Sequence, residues 1–171
     1  MIELWSFIGS NAAEIIACCA FFLAVWQGLA TRHHNKLSVT PQLVFETTVQ
    51  AKPRQVSVHL NNSGIGPAEI ISFKYFFDGK DLDSSELDVM FEYIGEHFYN
   101  GKELEAGGGI FRAGQHVSVG SRCLLFYVQT DPSLDETLDH QELIKNLKRL
   151  KIEVEYKSLY GKKYSKSLND S

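Results

Sequence analysis

The sequence predicts a mainly β protein, an antiparallel β-sandwich with one or two inserted helices, preceded by one N-terminal transmembrane helix. Three observations lead to this prediction. Residues 15–26 are wholly apolar, apolar and polar residues alternate in short runs from residue 37 onward, and clusters of turn-forming residues separate those runs. The chain therefore divides into an N-terminal anchor at 1–30, a basic flank at 31–36 and a soluble domain at 37–171.

The anchor has the length and composition of a membrane span. Residues 11–30 carry one charge, Glu14, over about 20 residues, which is what an α-helix needs to cross a hydrocarbon core of about 30 Å. Residues 1–10 lack the Lys or Arg of a secretory signal peptide, so we expect the segment to stay attached. Arg32 and Lys36 follow the apolar run, and the positive-inside rule then predicts a single-pass protein of the cell inner membrane, with the N-terminus outside and the domain in the cytoplasm.

Small residues recur along one face of this predicted helix: Ala13, Ala17, Ala20, Ala24 and Gly28. Such a face lets transmembrane helices approach closely, which predicts a homo-oligomer that assembles through the helix. Alanine is also simply common in short anchors. Glu14, beside this face, is either a functional intramembrane acid or a side chain that reaches the membrane surface.

Strands of the domain are predicted from alternation in the following runs: 37–43, 56–60, 69–77, 152–156 and 164–168. Cys123 to Val128 is the most apolar run outside the anchor and predicts a central buried strand. Pro53 is expected in a turn at 50–54, and the glycines of 101–109 predict a loop.

Two helices are predicted between the strands. The first lies within 83–95, where Leu87, Met90, Phe91 and Ile94 share one face, and the second places Leu143, Ile144, Leu147 and Leu150 together. Each has a candidate capping box at its start, formed by Asp83 with Glu86 and by Asp139 with Glu142.

Four segments occur in an order that resembles known modules: Val56–Ala68, Phe77–Lys80, Arg112–Val119 and Lys151–Tyr156. Together they resemble the immunoglobulin-like β-sandwich modules of prokaryotic proteins, typified by the cell-adhesion-related domain of bacteria and archaea. The whole chain is similar to bacterial single-pass membrane proteins in which such a domain carries an N-x-G-x-G-P-A turn. The resemblance covers about 100 residues and implies the fold, without implying an activity.

No motif of catalysis or metal binding is found in the sequence. Gly64–Gly66 lacks the third glycine of a dinucleotide loop, and Gly107–Gly109 is not followed by the Gly-Lys of a phosphate-binding loop. His59 and His116 are expected on the solvent side of their strands, and Cys123 in an apolar strand indicates a structural thiol. We therefore predict a protein that is not an enzyme, with no catalytic residues, no cofactor and no metal. A net charge of −4 argues against general nucleic-acid binding.

A basic, aromatic segment near the C-terminus is the predicted ligand-binding site, with these residues: Lys148, Arg149, Lys151, Tyr156, Lys157, Tyr160, Lys162 and Lys163. Positive side chains beside aromatic rings suit an anionic, base-stacking ligand such as a nucleotide. The alternative is contact with anionic headgroups of membrane lipid.

The sequence favours a membrane-anchored, non-enzymatic binding or interaction module at the cytoplasmic face of the inner membrane, with a protein partner. The alternative is an oligomeric, ligand-gated membrane effector that senses an anionic or cyclic nucleotide. That alternative is similar in architecture to membrane effectors of bacterial antiphage defence.

Overall fold

The computed structural model describes residues 12–37, 39–51, 54–82, 85–99, 104–129 and 140–169. The chain divides into two compact units, Met1–Ser38 and Val39–Ser171.

In the described part of the first unit the chain forms the helix α1 (Ala12–Leu37). Its 26 residues rise by about 39 Å, which exceeds the roughly 30 Å of a hydrocarbon core. The section Ala12–Asn35 is long and apolar enough to cross a membrane, and its large apolar side chains are exposed. α1 extends through the basic flank, because residues 31–36 contain no Pro or Gly to end a helix.

The second unit is built from strands with two helices inserted between them. Its described elements are β1 (Leu43–Ala51), β2 (Arg54–Asn62), β3 (Ala68–Phe77), β4 (Lys80–Leu82), α2 (Leu87–Phe98), β5 (Glu105–Gly108), β6 (His116–Val117), β7 (Arg122–Gln129), α3 (His140–Leu147), β8 (Leu150–Lys157) and β9 (Lys163–Leu168).

The strands form two antiparallel sheets. One has four strands in the order β1-β2-β7-β5, and the other has five, with the order β4-β3-β8-β9 and with β6 paired to β3. The prediction of a mainly β, antiparallel fold behind an apolar N-terminal helix is therefore confirmed. β7 lies between β2 and β5, as expected for the most apolar run of the domain.

One hydrophobic core joins the inner faces of the two sheets. α2 contributes Phe91, whose ring lies 6.0 Å from the Tyr75 ring of the five-stranded sheet and 6.3 Å from the Phe126 ring of the four-stranded sheet. The Tyr75 hydroxyl lies 2.6 Å from the carbonyl oxygen of Leu125, so it also links the sheets. Full burial of one large apolar side chain stabilises a fold by about 1.5–3 kcal/mol, which makes α2 a structural part of the core.

One strand prediction and one loop prediction are wrong. No strand begins at Leu37, which ends α1; β1 begins only at Leu43, after Pro41, which has no N–H to donate to a ladder. Part of the predicted loop at 101–109 is strand β5, paired with β7. The Tyr127 ring covers Gly107 so closely that a Cβ there would overlap it, and glycine is what permits this packing.

The helix predictions differ from the structure at their ends. α2 begins at Leu87 with Glu86 as its N-cap residue, which makes no side-chain capping hydrogen bond, and it continues past Gly95 to Phe98. The predicted caps Asp83 and Asp139 and the predicted turn residue Pro53 lie outside the described residues.

Candidate functional site

The predicted packing face of α1 runs along one side of the helix and consists of Ala13, Ala17, Ala20, Ala24 and Gly28. These residues are exposed, as is Glu14 in the first turn. A Cβ added to Gly28 would meet no atom within 4 Å. The face is therefore sterically open to a second helix.

The predicted ligand-binding residues do not lie together. β8 divides them into a group at its start (Lys148, Arg149 and Lys151) and a group at or beyond its end (Lys157, Tyr160, Lys162 and Lys163), while Tyr156 is in the core. The seven steps from Leu150 to Lys157 of an extended strand cover about 23 Å. One small ligand therefore cannot contact both groups.

Arg149 is part of the packing of the domain. Its Nε donates to Asp78 Oδ1 at 2.7 Å, and a second nitrogen pairs with the other carboxylate oxygen. It also donates to the His97 carbonyl at 2.9 Å and lies 4.7 Å from the centre of the Phe77 ring. The hydrogen bond from Arg149 and its charge hold the pKa of Asp78 below the ordinary value, against a smaller opposing effect of burial. Arg149 thus joins the end of α2 to the β3–β4 turn.

Tyr156 is buried, and its ring stacks on that of Tyr164 at 5.2 Å. Its hydroxyl accepts a hydrogen bond of 3.4 Å from the N–H of Leu43, and burial raises its pKa. On the outer face of the five-stranded sheet, Lys151 pairs with Glu153 and Lys157 with Glu69, each at 2.9 Å. These side chains already have partners within the domain.

The chain enters the domain through residues 39–42, and one turn holds this segment. The side chain of Asn62 donates to the carbonyl oxygens of Gly66 and Val117 at 2.9 and 3.0 Å, and accepts from the N–H groups of Gln42 and Gly64 at 3.2 and 3.1 Å. All four hydrogen-bonding positions of the amide are used. We call this arrangement the clamp.

The glycines of the clamp allow the segment to approach the turn. A Cβ on Gly64 would overlap the backbone of residues 40–42, and a Cβ on Gly66 would overlap the carbonyl of Val39. Two further backbone hydrogen bonds, from Ser63 to the Gln42 carbonyl at 2.9 Å and from Ile65 to the Thr40 carbonyl at 3.1 Å, complete the contact. Only residue 38 separates this fixed segment from the last residue of α1.

We call the end of the domain that contains the clamp the tether end. It comprises residues 39–42, 63–67, 112–121 and 158–163. The turns 63–67 and 118–121 are joined through the backbone of Asn62, and Glu69 at the start of β3 is in register with both Lys157 and His116. Tyr160, Lys162 and Lys163 of the predicted site are exposed here.

A polar cluster lies on the outer face of the four-stranded sheet and comprises Glu46, Thr48, His59, Asn61 and Arg122. Arg122 donates to Thr48 at 2.9 Å and to Glu46 at 3.3 Å, and the Asn61 amide donates to the other oxygen of Glu46. His59 Nδ1 and Asn61 Oδ1 are shielded from solvent and have no hydrogen-bond partner among the described residues. We call this group the outer cluster.

Burial lowers the pKa of His59, the charge of Arg122 lowers it further, and Glu46 opposes both. The imidazole is therefore neutral at pH 7 and offers one donor and one acceptor. Sequence alternation placed His59 on the outer face, but its neighbours come from β1 and β7, and no local pattern specifies that register. The outer cluster was for this reason not found from the sequence.

Among the concave sites that the described residues form, two lie elsewhere on the domain. A groove of about 250 Å³ between β4 and α2 is lined by Lys80, Leu82, Glu86, Val89, Met90 and Tyr93. A second, of about 350 Å³, is lined by Ile71, Glu155, Lys163, Tyr164 and Ser165. The carboxylate of Glu155 opposes an anionic ligand beside Lys163, so this site does not favour a nucleotide phosphate.

Among the described residues, no group of three or more His, Cys, Asp or Glu is placed to hold a metal ion. The fold and its surfaces define a β domain behind an apolar N-terminal helix. The chain belongs to the family described as a domain of unknown function, DUF8453, which matches residues 5–169. No curated protein matches the sequence.

Proposed function

We propose that this protein is a membrane-anchored, non-enzymatic interaction module that binds a protein partner at the cytoplasmic face of the cell inner membrane. The length and exposed apolar surface of α1 support the anchor. Arg32, at the end of the apolar run, supports the orientation with the N-terminus outside, because basic flanks are retained in the cytoplasm.

We also propose that the domain is an immunoglobulin-like sandwich. The strand order supports this, since β1-β2-β7-β5 corresponds to the order A-B-E-D and β4-β3-β8-β9 to the order C′-C-F-G. In this correspondence α2 is inserted between strands C′ and D. Sandwiches of this class act in binding and structural roles through their faces and loops, so the fold agrees with a binding function without specifying a ligand.

The observation that carries the binding function is the outer cluster. A shielded polar atom without a partner costs about 1–3 kcal/mol, and His59 Nδ1 and Asn61 Oδ1 are two such atoms on one open sheet face. Leu124, in register with His59, exposes an apolar side chain beside them. A partner that covers Leu124 would satisfy both atoms if the His59 and Asn61 side chains rotate toward it on binding. Asn61 Oδ1 needs a donor, and His59 Nδ1 takes a donor or an acceptor according to its tautomer.

A photo-crosslinking amino acid placed at Leu124 in the full-length protein in cells tests this function. We expect a discrete crosslinked product that disappears when Arg122→Ala disrupts the outer cluster. The matched control is the same crosslinker at Glu155, which is exposed on the outer face of the other sheet. If Leu124 gives no product, or the same products as Glu155, the outer face of the four-stranded sheet is not the binding surface.

A topology measurement is independent of the partner. With the domain in the cytoplasm, an alkaline-phosphatase reporter fused after Ser171 stays inactive, since the enzyme requires export. An active reporter at this position contradicts the proposed orientation.

The clamp favours a second candidate function, the oligomeric ligand-gated effector. A domain whose first residues are locked to a turn transmits a change of shape to its helix, whereas a flexible linker would not. If copies of the chain assemble through the predicted packing face of α1, the double substitution Ala20→Leu with Ala24→Leu weakens crosslinking between α1 helices in membranes. Ile16→Leu with Leu23→Ile, at exposed apolar positions, is the matched control. A wild type that stays monomeric at equal expression excludes this function and leaves the interaction module.

A further inference from the structure

The tether end has a different charge from the rest of the domain. None of its residues is Asp or Glu, although the chain contains 21 such acids. Its basic residues are Arg112, Lys162 and Lys163, all exposed, together with the exposed His116. Neither Lys162 nor Lys163 forms an ion pair with an acid in the described part of the chain. The tether end is therefore positive in a protein whose net charge is negative.

The opposite end of the domain carries more acids than bases. The β3–β4 turn and the α2 region hold six acids, against Lys80, Lys148 and Arg149 at the same end, and Arg149 pairs with one of these acids. The acids are Asp78, Asp81, Glu86, Asp88, Glu92 and Glu96. β3 runs from the tether end to this end, and its ten residues cover about 30 Å. The domain is thus electrically polarised along its strands, with the positive side where the chain arrives from α1.

The tether end also concentrates exposed apolar side chains. Of the five most exposed large apolar side chains among the described residues of 39–169, four lie here: Ile65 at 64%, Leu159 at 63%, Tyr160 at 54% and Val119 at 52% exposure. The fifth, Val89 at 58%, is on α2. Exposed aliphatic and tyrosine side chains beside lysines are typical of surfaces that enter the headgroup region of a bilayer.

The turns that carry these side chains are held by backbone hydrogen bonds. Asn62 donates to the Ser121 carbonyl at 3.2 Å and accepts from Gly120 at 2.9 Å, which joins the turns of Ile65 and Val119. The β8–β9 turn is closed by the bond from the N–H of Ser158 to the Lys162 carbonyl at 2.9 Å. The apolar and basic groups are therefore presented by fixed turns, without a cost of ordering them on contact.

We propose that the tether end lies on the anionic membrane leaflet that α1 adjoins, with Ile65, Leu159 and Tyr160 among the lipid headgroups and with Arg112 and Lys162 against lipid phosphates. Lys163 adds positive charge at the same surface. In the sequence only five residues, 38–42, separate the last residue of α1 from β1, and five residues span at most about 18 Å when fully extended. The negative surface attracts the basic end and repels the acidic end, which sets the orientation of the domain. This inference requires that α1 spans a bilayer, as proposed above, and it is independent of the outer cluster.

Depth measurement on the full-length protein in nanodiscs tests the contact. The native cysteines Cys18, Cys19 and Cys123 are first replaced by alanine. An environment-sensitive NBD fluorophore is then attached to the cysteine of Leu159→Cys, and Val89→Cys is the matched control. In nanodiscs that contain phosphatidylglycerol, the probe at 159 shifts its emission to the blue and is quenched by spin-labelled lipid, while the probe at 89 is not. Equal spectra and equal quenching at the two positions overturn the proposal.

Hydrogen exchange on the unsubstituted protein avoids any effect of labelling on folding. We expect the amides of 158–163 to exchange several-fold more slowly in nanodiscs with phosphatidylglycerol than in phosphatidylcholine alone. Lys162→Gln with Lys163→Gln removes this difference, whereas Lys145→Gln with Lys148→Gln, exposed residues on α3 and directly after it, leaves it unchanged.

Two results contradict the contact. Exchange that is the same in both lipids excludes attraction to an anionic surface, and equal protection in detergent indicates contact between copies of the chain. Extraction of membranes at alkaline pH tests the span of α1 separately from the contact of the tether end. If α1 spans the bilayer, the protein stays in the membrane fraction whether or not the tether end contacts lipid.

Discussion

Different interactions stabilise the two ends of the β domain. At the tether end a neutral amide, Asn62, bonds four backbone groups and the basic side chains stay exposed. At the opposite end a charge forms the link, because Arg149 pairs with Asp78 and packs on Phe77. Arg149 and Lys163 belong to one basic segment of the sequence, yet one stabilises the fold and the other remains available to a partner.

Removal of the Asn62 side chain, which forms the clamp, has the largest expected effect on stability. Asn62→Ala leaves the carbonyls of Gly66 and Val117 without their partner in a buried position, and the N–H groups of Gln42 and Gly64 without theirs in a partly buried one. We expect a loss of about 3 kcal/mol or more in the free energy of unfolding, measured by urea denaturation of the detergent-solubilised protein. Ser63→Ala, an exposed neighbour with one long hydrogen bond to the Gln42 carbonyl, is the control and changes this free energy by less than about 0.5 kcal/mol. Equal stabilities of the two variants contradict the role of the clamp.

The charged link is expected to contribute less, since Arg149 and Asp78 are partly exposed. Arg149→Ala removes a two-pronged ion pair and a cation–π contact, and we expect a loss of about 1–2 kcal/mol after allowance for solvent screening. Arg149→Lys keeps the charge but not the planar fork, so it restores only part of the stability. Full recovery with lysine would mean that charge alone explains the contact.

The pH dependence sharpens the same comparison. The pKa of Asp78 is lowered in the folded protein, chiefly by the hydrogen bond from Arg149, so the pair stabilises the fold above the ordinary carboxyl pKa of 3.8. This contribution is lost as the pH falls below that value and through the lower pKa of the folded state. The difference in unfolding free energy between wild type and Arg149→Ala therefore shrinks below about pH 4. Asn62→Ala removes no charge, so the difference in unfolding free energy between wild type and this variant stays nearly constant with pH. If that difference also shrinks below about pH 4, the ion pair between Arg149 and Asp78 is not the cause of the pH dependence.

The exposed bases have the smallest expected effect on stability. Lys162→Gln with Lys163→Gln removes a cation–π contact of 5.3 Å between Lys162 and Tyr164, and we expect the unfolding free energy to change by less than about 0.5 kcal/mol. A loss as large as that of Arg149→Ala, seen in the same denaturation experiment, would show that these lysines also stabilise the fold.

Local patterns predicted most of the elements but not their ends. The apolar run of α1 and the alternation of Ile152 and Val154 depend only on neighbouring residues, and both elements formed as expected. β5 was not predicted, because consecutive glycines are typical of loops, and its pairing with β7, where Tyr127 covers Gly107, is not a local feature of the sequence. The extension of α1 to Leu37 was missed because residues 31–36 are polar, so the apolar pattern stops before the helix does.

The spatial arrangement of the candidate sites is less visible in the sequence than the fold. Tyr156 alternates with Ile152 and Val154, so its burial was visible in the sequence, but its lysine neighbours favoured a ligand-binding role. The division of the basic segment depends on the pairing of Arg149 with Asp78, 71 residues away in the chain. The outer cluster depends on contacts from three strands. These sites form only when distant strands pair in a particular register, and local sequence patterns do not specify that register.

The glycines of the clamp have a consequence for how the sequence can vary. At positions 64 and 66 even a methyl group would displace the backbone of residues 39–42, so a library in which each position is substituted should retain only glycine there. Gly79 and Gly161, where an added Cβ meets no atom but φ is positive, should also accept asparagine or aspartate. Tolerance to substitution would therefore separate glycines that allow a close approach from glycines that only form a turn.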